Sequence, residues 1–101
     1  MKDQELLRQL AQRPVVALSL EELGELLESA ETWREIDTRI NGWIRILGMD
    51  GAVLIQEQAP DGDVLVRRVP ALGDAEVFVE SRLVAYERQW DGCGCRIDYH
   101  S

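Results

Sequence analysis

Hydrophobic residues recur at helical spacing through the first half of the chain and then alternate with polar residues. Apolar positions from residue 3 to 13 predict a first helix, which Pro14 ends. A brief extended run follows over 15–18. Ser19 and Glu22 have the spacing of a capping box, in which each residue satisfies a free backbone N–H of the first turn. This pattern predicts a second helix over 20–28.

The segment 32–47 carries the strongest helical pattern. Thr32 and Glu35 repeat the capping-box spacing, and Gly48 is well placed to end a helix. In a helix, the large apolar residues of this segment would lie on one face; they are Trp33, Ile36, Ile40, Trp43, Ile44 and Leu47. We therefore expect three N-terminal helices.

The pattern then changes from helical to alternating in two β-rich runs, over 53–57 and over 64–69. Between these runs, Pro60 presets the first turn angle, and Gly62 accepts a positive φ after Asp61. The pattern predicts a β-hairpin.

Asp74 is placed to cap a last helix, expected to run through Trp90. Beyond Gly92, residues 93–100 alternate as a short terminal strand. The sequence thus predicts an α+β fold in a single domain over 1–101, with a core over 3–69. Residues 74–101 would add a helix and a strand suited to dimerisation, and the expected interface residues are Leu83, Tyr86, Trp90 and Tyr99.

The segment from Ser19 to Leu27, followed by apolar residues at helical spacing up to Leu47 and then by the hairpin, resembles a known family. It is similar to the winged helix-turn-helix domain at the N-terminus of biotin-operon repressors and related bacterial regulators. The resemblance covers roughly residues 3–69.

This resemblance implies that the helix over 32–47 is the recognition helix and that residues 58–63 form the tip of the wing. It also makes the last helix a dimerisation element. Carried over residue by residue, the DNA-facing candidates are Arg34, Thr38, Arg39 and Arg45 on the helix, with Arg67 or Arg68 on the hairpin.

The charge balance opposes a DNA-binding role. The chain has 11 basic and 19 acidic residues, a net charge of −8, and the expected wing tip carries Asp61 and Asp63. A surface without positive excess loses the counterion release that supplies most non-specific affinity for nucleic acid. All basic residues except Lys2 are arginines, which favour bidentate ion pairs of the kind found at protein interfaces.

Catalytic and metal-binding chemistry have little support in the sequence. Cys93, Cys95 and His100 could supply ligands to zinc or a redox pair, but their spacing matches neither a zinc knuckle nor a redox Cys-x-x-Cys. Cysteines packed beside Ile97 are the simpler interpretation. His100 is the single histidine, and no nucleophile or phosphate-loop motif is present. We expect no catalytic residue, no metal site, no cofactor and no enzyme activity.

Two functional hypotheses follow. The first is a small acidic regulatory protein that binds another protein, such as a basic nucleic-acid-binding protein that it inhibits; host- or phage-encoded inhibitors are of this kind. The second is a dimeric transcriptional regulator that reads DNA with the helix over 32–47. No signal peptide or apolar run of about 20 residues is present, so we expect a cytoplasmic protein with no membrane partner. The first hypothesis ranks ahead because it agrees with the charge, and its partner is another protein or a second copy.

Overall fold

A five-stranded antiparallel sheet with helices on both faces forms the protein. The computed structural model describes residues 3–39, 42–59 and 61–92. In chain order the elements are α1 (Asp3–Gln12), β1 (Val16–Leu18), α2 (Leu20–Ser29), β2 (Glu31–Asp37), β3 (Trp43–Met49), β4 (Ala52–Gln58), β5 (Val64–Val69) and α3 (Leu72–Gly92). The strand order is β1-β5-β4-β3-β2, so β1 and β2 are the two edges.

The first two helices and the β4–β5 hairpin confirm the corresponding predictions. The capping box at the start of α2 is complete: the Ser19 N–H donates to Glu22 Oε1 at 3.0 Å, and the Glu22 N–H donates to Ser19 Oγ at 3.1 Å. In the hairpin, β4 and β5 pair in register from Val53 with Val69 to Gln58 with Val64.

The predicted winged helix-turn-helix arrangement is wrong, because the segment 32–47 is not a helix. It forms the hairpin of β2 and β3, so two helices rather than three precede this hairpin. The turn contains Arg39 at φ 65° and Gly42 at φ 81°, and the Thr38 N–H donates to the Gly42 carbonyl oxygen at 2.8 Å. The expected wing is the second half of a four-stranded meander, β2 to β5.

The residue types in this segment explain the error. Isoleucine, threonine and tryptophan dominate it, and they favour strands because branched and aromatic side chains pack well on a pleated surface. The dipeptide Asn41-Gly42 lies between two such runs and is the strongest short-range signal for a hairpin turn. Apolar residues at helical spacing fit both structures here, whereas the turn signal favours the hairpin.

The two faces of the sheet carry separate hydrophobic cores. On one face, which we call the α1/α2 face, buried residues of all strands except β2 pack with residues of both N-terminal helices; they are Leu6, Leu10, Val16, Leu18, Leu26, Leu47, Met49, Ala52, Leu54, Val64 and Val66. On the other, the α3 face, Ile44, Ile46 and Ile55 pack against Ala75 and Val79 of α3. Successive side chains of a strand point to opposite faces, so β3, β4 and β5 each contribute to both layers.

The last helix is longer than predicted, starting at Leu72 and ending at Gly92. The predicted terminal strand over 93–100 lies outside the described residues. None of the described helices combines the length and the apolar character that a membrane span requires.

The capping box should contribute measurably to stability. We expect Ser19→Ala to lower the free energy of unfolding by about 1 kcal/mol, because the Glu22 N–H loses its acceptor. Urea unfolding followed by circular dichroism measures the change. Ser29→Ala, at the exposed far end of the same helix, is the control and should change stability by less than about 0.5 kcal/mol. Equal effects of the two substitutions would contradict the capping role.

The same box should make stability depend on pH. The backbone hydrogen bond from Ser19 holds the pKa of Glu22 below its ordinary value. A carboxyl group with a lowered pKa in the folded state stabilises the fold above its unfolded pKa, and this contribution disappears as the pH falls through the folded pKa. We expect Glu22→Gln to be less stable than the wild type at neutral pH, and we expect the difference to shrink as the pH falls below the ordinary pKa of a glutamate carboxyl. Urea unfolding across this range tests the expectation, which a pH-independent difference would refute.

Candidate interaction surface

A buried carboxylate between two arginines joins α3 to the sheet. Glu57 lies on the α3 face of β4, and its side chain is only 4% exposed. Arg67 of β5 donates from Nη2 to Glu57 Oε1 at 3.0 Å. Arg82 of α3 donates from Nε to Oε2 at 3.0 Å and from Nη2 to Oε1 at 3.2 Å. The Arg82–Glu57 pair therefore holds α3 against β4, and the Arg67–Glu57 pair links β4 to β5.

Phe78 completes this cluster. The guanidinium carbons of Arg67 and Arg82 lie 4.5 and 4.8 Å from the centre of its ring, within the range of cation–π attraction. The hydrogen bonds to Glu57 raise the pKa of Arg82 above its ordinary value. Both oxygens of Glu57 accept guanidinium hydrogen bonds, so the geometry suits a structural tie better than a proton-transferring base.

Among the described side chains, the Arg67 Nε is the one buried polar atom with no hydrogen-bond partner. Two guanidiniums share one carboxylate here, which explains why a donor is left over. The stacking of Arg67 on Phe78 offsets part of the cost of burying that donor.

A second polar cluster spans β2, β3 and β4 on the α1/α2 face. Arg45 donates from Nε to Glu35 Oε2 and from Nη1 to Gln56 Oε1, both at 2.7 Å. Gln56 is buried, whereas the side chain of Glu35 is 47% exposed. The guanidinium of Arg45 also lies 5.9 Å from the ring centre of Trp43. These contacts fix Arg45 and leave Glu35 and Trp43 open to solvent on one side.

The edge strand β2 is the most accessible strand of the sheet. Six of its seven residues are exposed, and Ile36 alone is partly buried. Trp33 and Trp43 keep 45% and 42% of their surfaces exposed beside this edge. We use the name β2 edge for strand β2 together with Trp43. At the opposite edge β1 has only three residues, and its two end residues are buried.

Trp33 is positioned by a glycine of the neighbouring strand. A Cβ atom at Gly48 would overlap the Trp33 ring, so the absence of a side chain there lets the ring lie on the backbone of β3. The pairing register shifts between Thr32 and Arg34, which identifies Trp33 as the extra residue of a β-bulge. Covering an exposed glycine with an aromatic ring is a known way to stabilise a strand, and it accounts for part of the placement of Trp33.

The charges of the β2 edge are mainly acidic. The strand contains three acidic residues, Glu31, Glu35 and Asp37, and one basic residue, Arg34, so its net charge is −2. Glu35 and Asp37 lie on the α1/α2 face, because they pair with Arg45 and Trp43 of β3. Arg34 lies on the other face, where it pairs with Ile46.

The structure does not gather the predicted DNA-contacting residues on one surface. Arg45 and Arg68 lie on the α1/α2 face, whereas Arg34 and Arg67 lie on the α3 face. Arg45 and Arg67 are also engaged in ion pairs with acidic residues.

The two remaining candidates lie in the β2–β3 turn. Thr38 is buried and donates from Oγ1 to the Gly42 carbonyl oxygen at 2.7 Å. Arg39 has its backbone N–H bound to Asp37 Oδ1 at 2.9 Å. Neither occupies a helix that could enter a major groove, since the described residues of this segment form two strands and the turn between them.

Two of the predicted interface residues face the sheet. Leu83 and Tyr86 are partly buried and pack on the hydrophobic core of the α3 face. The side chain of Trp90 lies outside the described part of the structure, and Tyr99 lies outside the described residues.

Within the described ranges, no group of three or more histidine, cysteine, aspartate or glutamate residues is arranged to hold a metal ion. Cys93, Cys95 and His100 lie outside those ranges.

Comparison with protein-family models, curated proteins and solved structures finds no match to this chain. The resemblance to biotin-operon repressors therefore stays a prediction that these comparisons do not test.

The sequence did not predict Glu35 and Glu57 as the acidic partners of the arginines in the two clusters. Glu35 was assigned to a helix, and the pairing of Glu57 with Arg82 joins residues 25 positions apart, which no local pattern indicates. One signal was present: in each hairpin, the acidic residue precedes its arginine by ten positions, Glu35 before Arg45 and Glu57 before Arg67.

Removing the buried carboxylate should destabilise the protein far more than removing the exposed one. We expect Glu57→Ala to lower the free energy of unfolding by about 3 kcal/mol, because Arg67 and Arg82 would be left without their shared partner. Glu35→Ala breaks a more exposed pair and should cost less than about 1 kcal/mol. Urea unfolding of both variants provides the comparison. Similar losses would mean that the Glu57 cluster does not hold α3 in place.

Proposed function

We propose that this protein is a small, non-catalytic regulatory protein of the cytoplasm that acts by binding another protein through the β2 edge. The observation that carries the proposal is the combination of an almost fully exposed edge strand with two half-exposed tryptophans. Tryptophan is enriched among residues that dominate binding energy, and an edge strand has backbone groups ready to pair.

The charge of the chain favours a partner with a basic surface. A net charge of −8 steers oppositely charged proteins toward it and repels nucleic acid and anionic lipid. A nucleic-acid-binding protein has such a basic surface. Occupying that surface would block its nucleic acid, which makes inhibition the expected regulatory effect.

The strands in the segment 32–47 do not support DNA binding through a recognition helix there. The helix that this role required is replaced by two strands, and the arginines assigned to it are divided between opposite faces of the sheet. The arrangement offers neither a recognition helix nor a continuous positive surface for phosphates.

Affinity purification of the tagged protein from its native cell, with quantitative mass spectrometry, tests the proposal. We expect the wild type to retain a basic protein that is released as salt is raised, because screening weakens attraction between exposed charges. Trp33→Ser should reduce its recovery about tenfold or more, as expected for a central aromatic contact.

The control for this experiment is Leu20→Ser, which removes a large apolar side chain that is 74% exposed at the start of α2. It should retain the partner at the wild-type level, and circular dichroism should show both variants folded. Recovery of no stable protein partner by the wild type would refute the proposed function. Equal losses in the two variants would refute its assignment to the β2 edge.

A further inference from the structure

The hydrogen bonds of the β2–β3 turn determine which backbone groups of β2 face outward. Thr38 donates its N–H to Gly42 of the opposite side, and Ile36 and Arg34 follow it at intervals of two residues. In an antiparallel ladder, residues at this interval bond to the same neighbour, whereas those between them point away. The N–H and C=O groups of Glu35 and Asp37 therefore point to the open side of the sheet.

The side chains above and below this open edge differ in character. On the α1/α2 face, Glu35 and Asp37 stand beside the exposed ring of Trp43. On the α3 face, Trp33 and the partly buried Ile36 provide apolar surface, with the exposed Arg34 between them in the strand. A strand added here would meet acidic groups on one face, and two apolar side chains and one arginine on the other.

A second copy of this chain fits the edge poorly. A two-fold axis that continues the sheet pairs residues lying on the same face. In the regular part of β2, every such register brings like charges together: Glu35 meets Glu35 or Asp37, Asp37 meets itself, or Arg34 meets Arg34. Like charges directly opposite each other in a sheet are destabilising, and the net charge of −8 adds to the repulsion.

We propose that the β2 edge binds an extended basic segment of the partner protein, which joins the sheet as a sixth strand. Alternate basic side chains of that segment lie against Glu35 and Asp37, and the apolar side chains between them lie against Trp33. The inference rests on the proposed function and names the partner's binding element. Charges and a bulge also protect an edge strand from aggregation, and here the acidic charges repel further copies while attracting a basic strand.

A ten-residue peptide of alternating arginine and valine is the probe. We expect it to slow hydrogen exchange at the amides of Glu35 and Asp37 by about tenfold or more, because these N–H groups gain partners. The amides of Arg34 and Ile36, already bonded to β3, should change little. Nuclear magnetic resonance with the full chain measures all four amides.

Two control peptides separate strand addition from simple charge attraction. One has the same composition in an arginine block and a valine block, and the other replaces arginine with glutamate. Both should leave the exchange rates at Glu35 and Asp37 unchanged. Equal protection by the block peptide, or no protection by the alternating one at millimolar concentration, would overturn the proposal.

A matched pair of variants tests the role of the two carboxylates. The double variant Glu35→Gln, Asp37→Asn should bind the alternating peptide roughly fivefold more weakly, since two partly exposed ion pairs are lost. The variant Glu76→Gln, Glu80→Gln removes the same charge from the exposed side of α3 and should bind within about twofold of the wild type. Equal weakening would assign the attraction to net charge and overturn the proposal.

Recovery of the native partner by the wild type and by the Glu35→Gln, Asp37→Asn variant distinguishes this inference from the proposed function. If the wild type retains a stable partner and the Glu35→Gln, Asp37→Asn variant retains it equally, strand addition at this edge fails while the protein-binding function stands. If the wild type self-associates through β2 in sedimentation experiments, the second copy is the occupant and the basic segment is excluded.

Discussion

The central strand β4 is the constraint on which the rest of the structure depends. Four successive residues, Leu54, Ile55, Gln56 and Glu57, are buried, so the strand is covered on both faces. The helices α1 and α2 cover its α1/α2 face, and α3 covers its α3 face. Burial of the apolar surface on both sides of the strand away from water stabilises this arrangement. Helices from opposite ends of the chain are thus held together through one strand.

The buried Glu57 within that strand adds a directional contact between the sheet and α3. A buried carboxylate is costly unless it is paired and hydrogen-bonded, and here Arg67 of β5 and Arg82 of α3 both satisfy Glu57.

The sequence predicted α1, α2, the β4–β5 hairpin and α3 because local signals decide those elements: the Ser19 capping box, the turn around Gly62 and the apolar stripe of α3. The β2–β3 segment was assigned to a helix because its apolar spacing fits either structure. The candidate site was predicted only in part. Both arginine clusters depend on strand register and on contacts between distant elements, which hydrophobic periodicity does not specify.

The pairing of β1 with β5 has a consequence for the order in which the protein can fold. Val16 pairs with Val66, so this contact joins residues 50 positions apart, while β2 to β5 are connected by short turns. The meander can form from nearby contacts, but closing the large loop to β1 carries a greater entropic cost. During synthesis from the N-terminus, β1 has no strand to pair with until β5 has left the ribosome. The first strand made is therefore among the last to join the sheet.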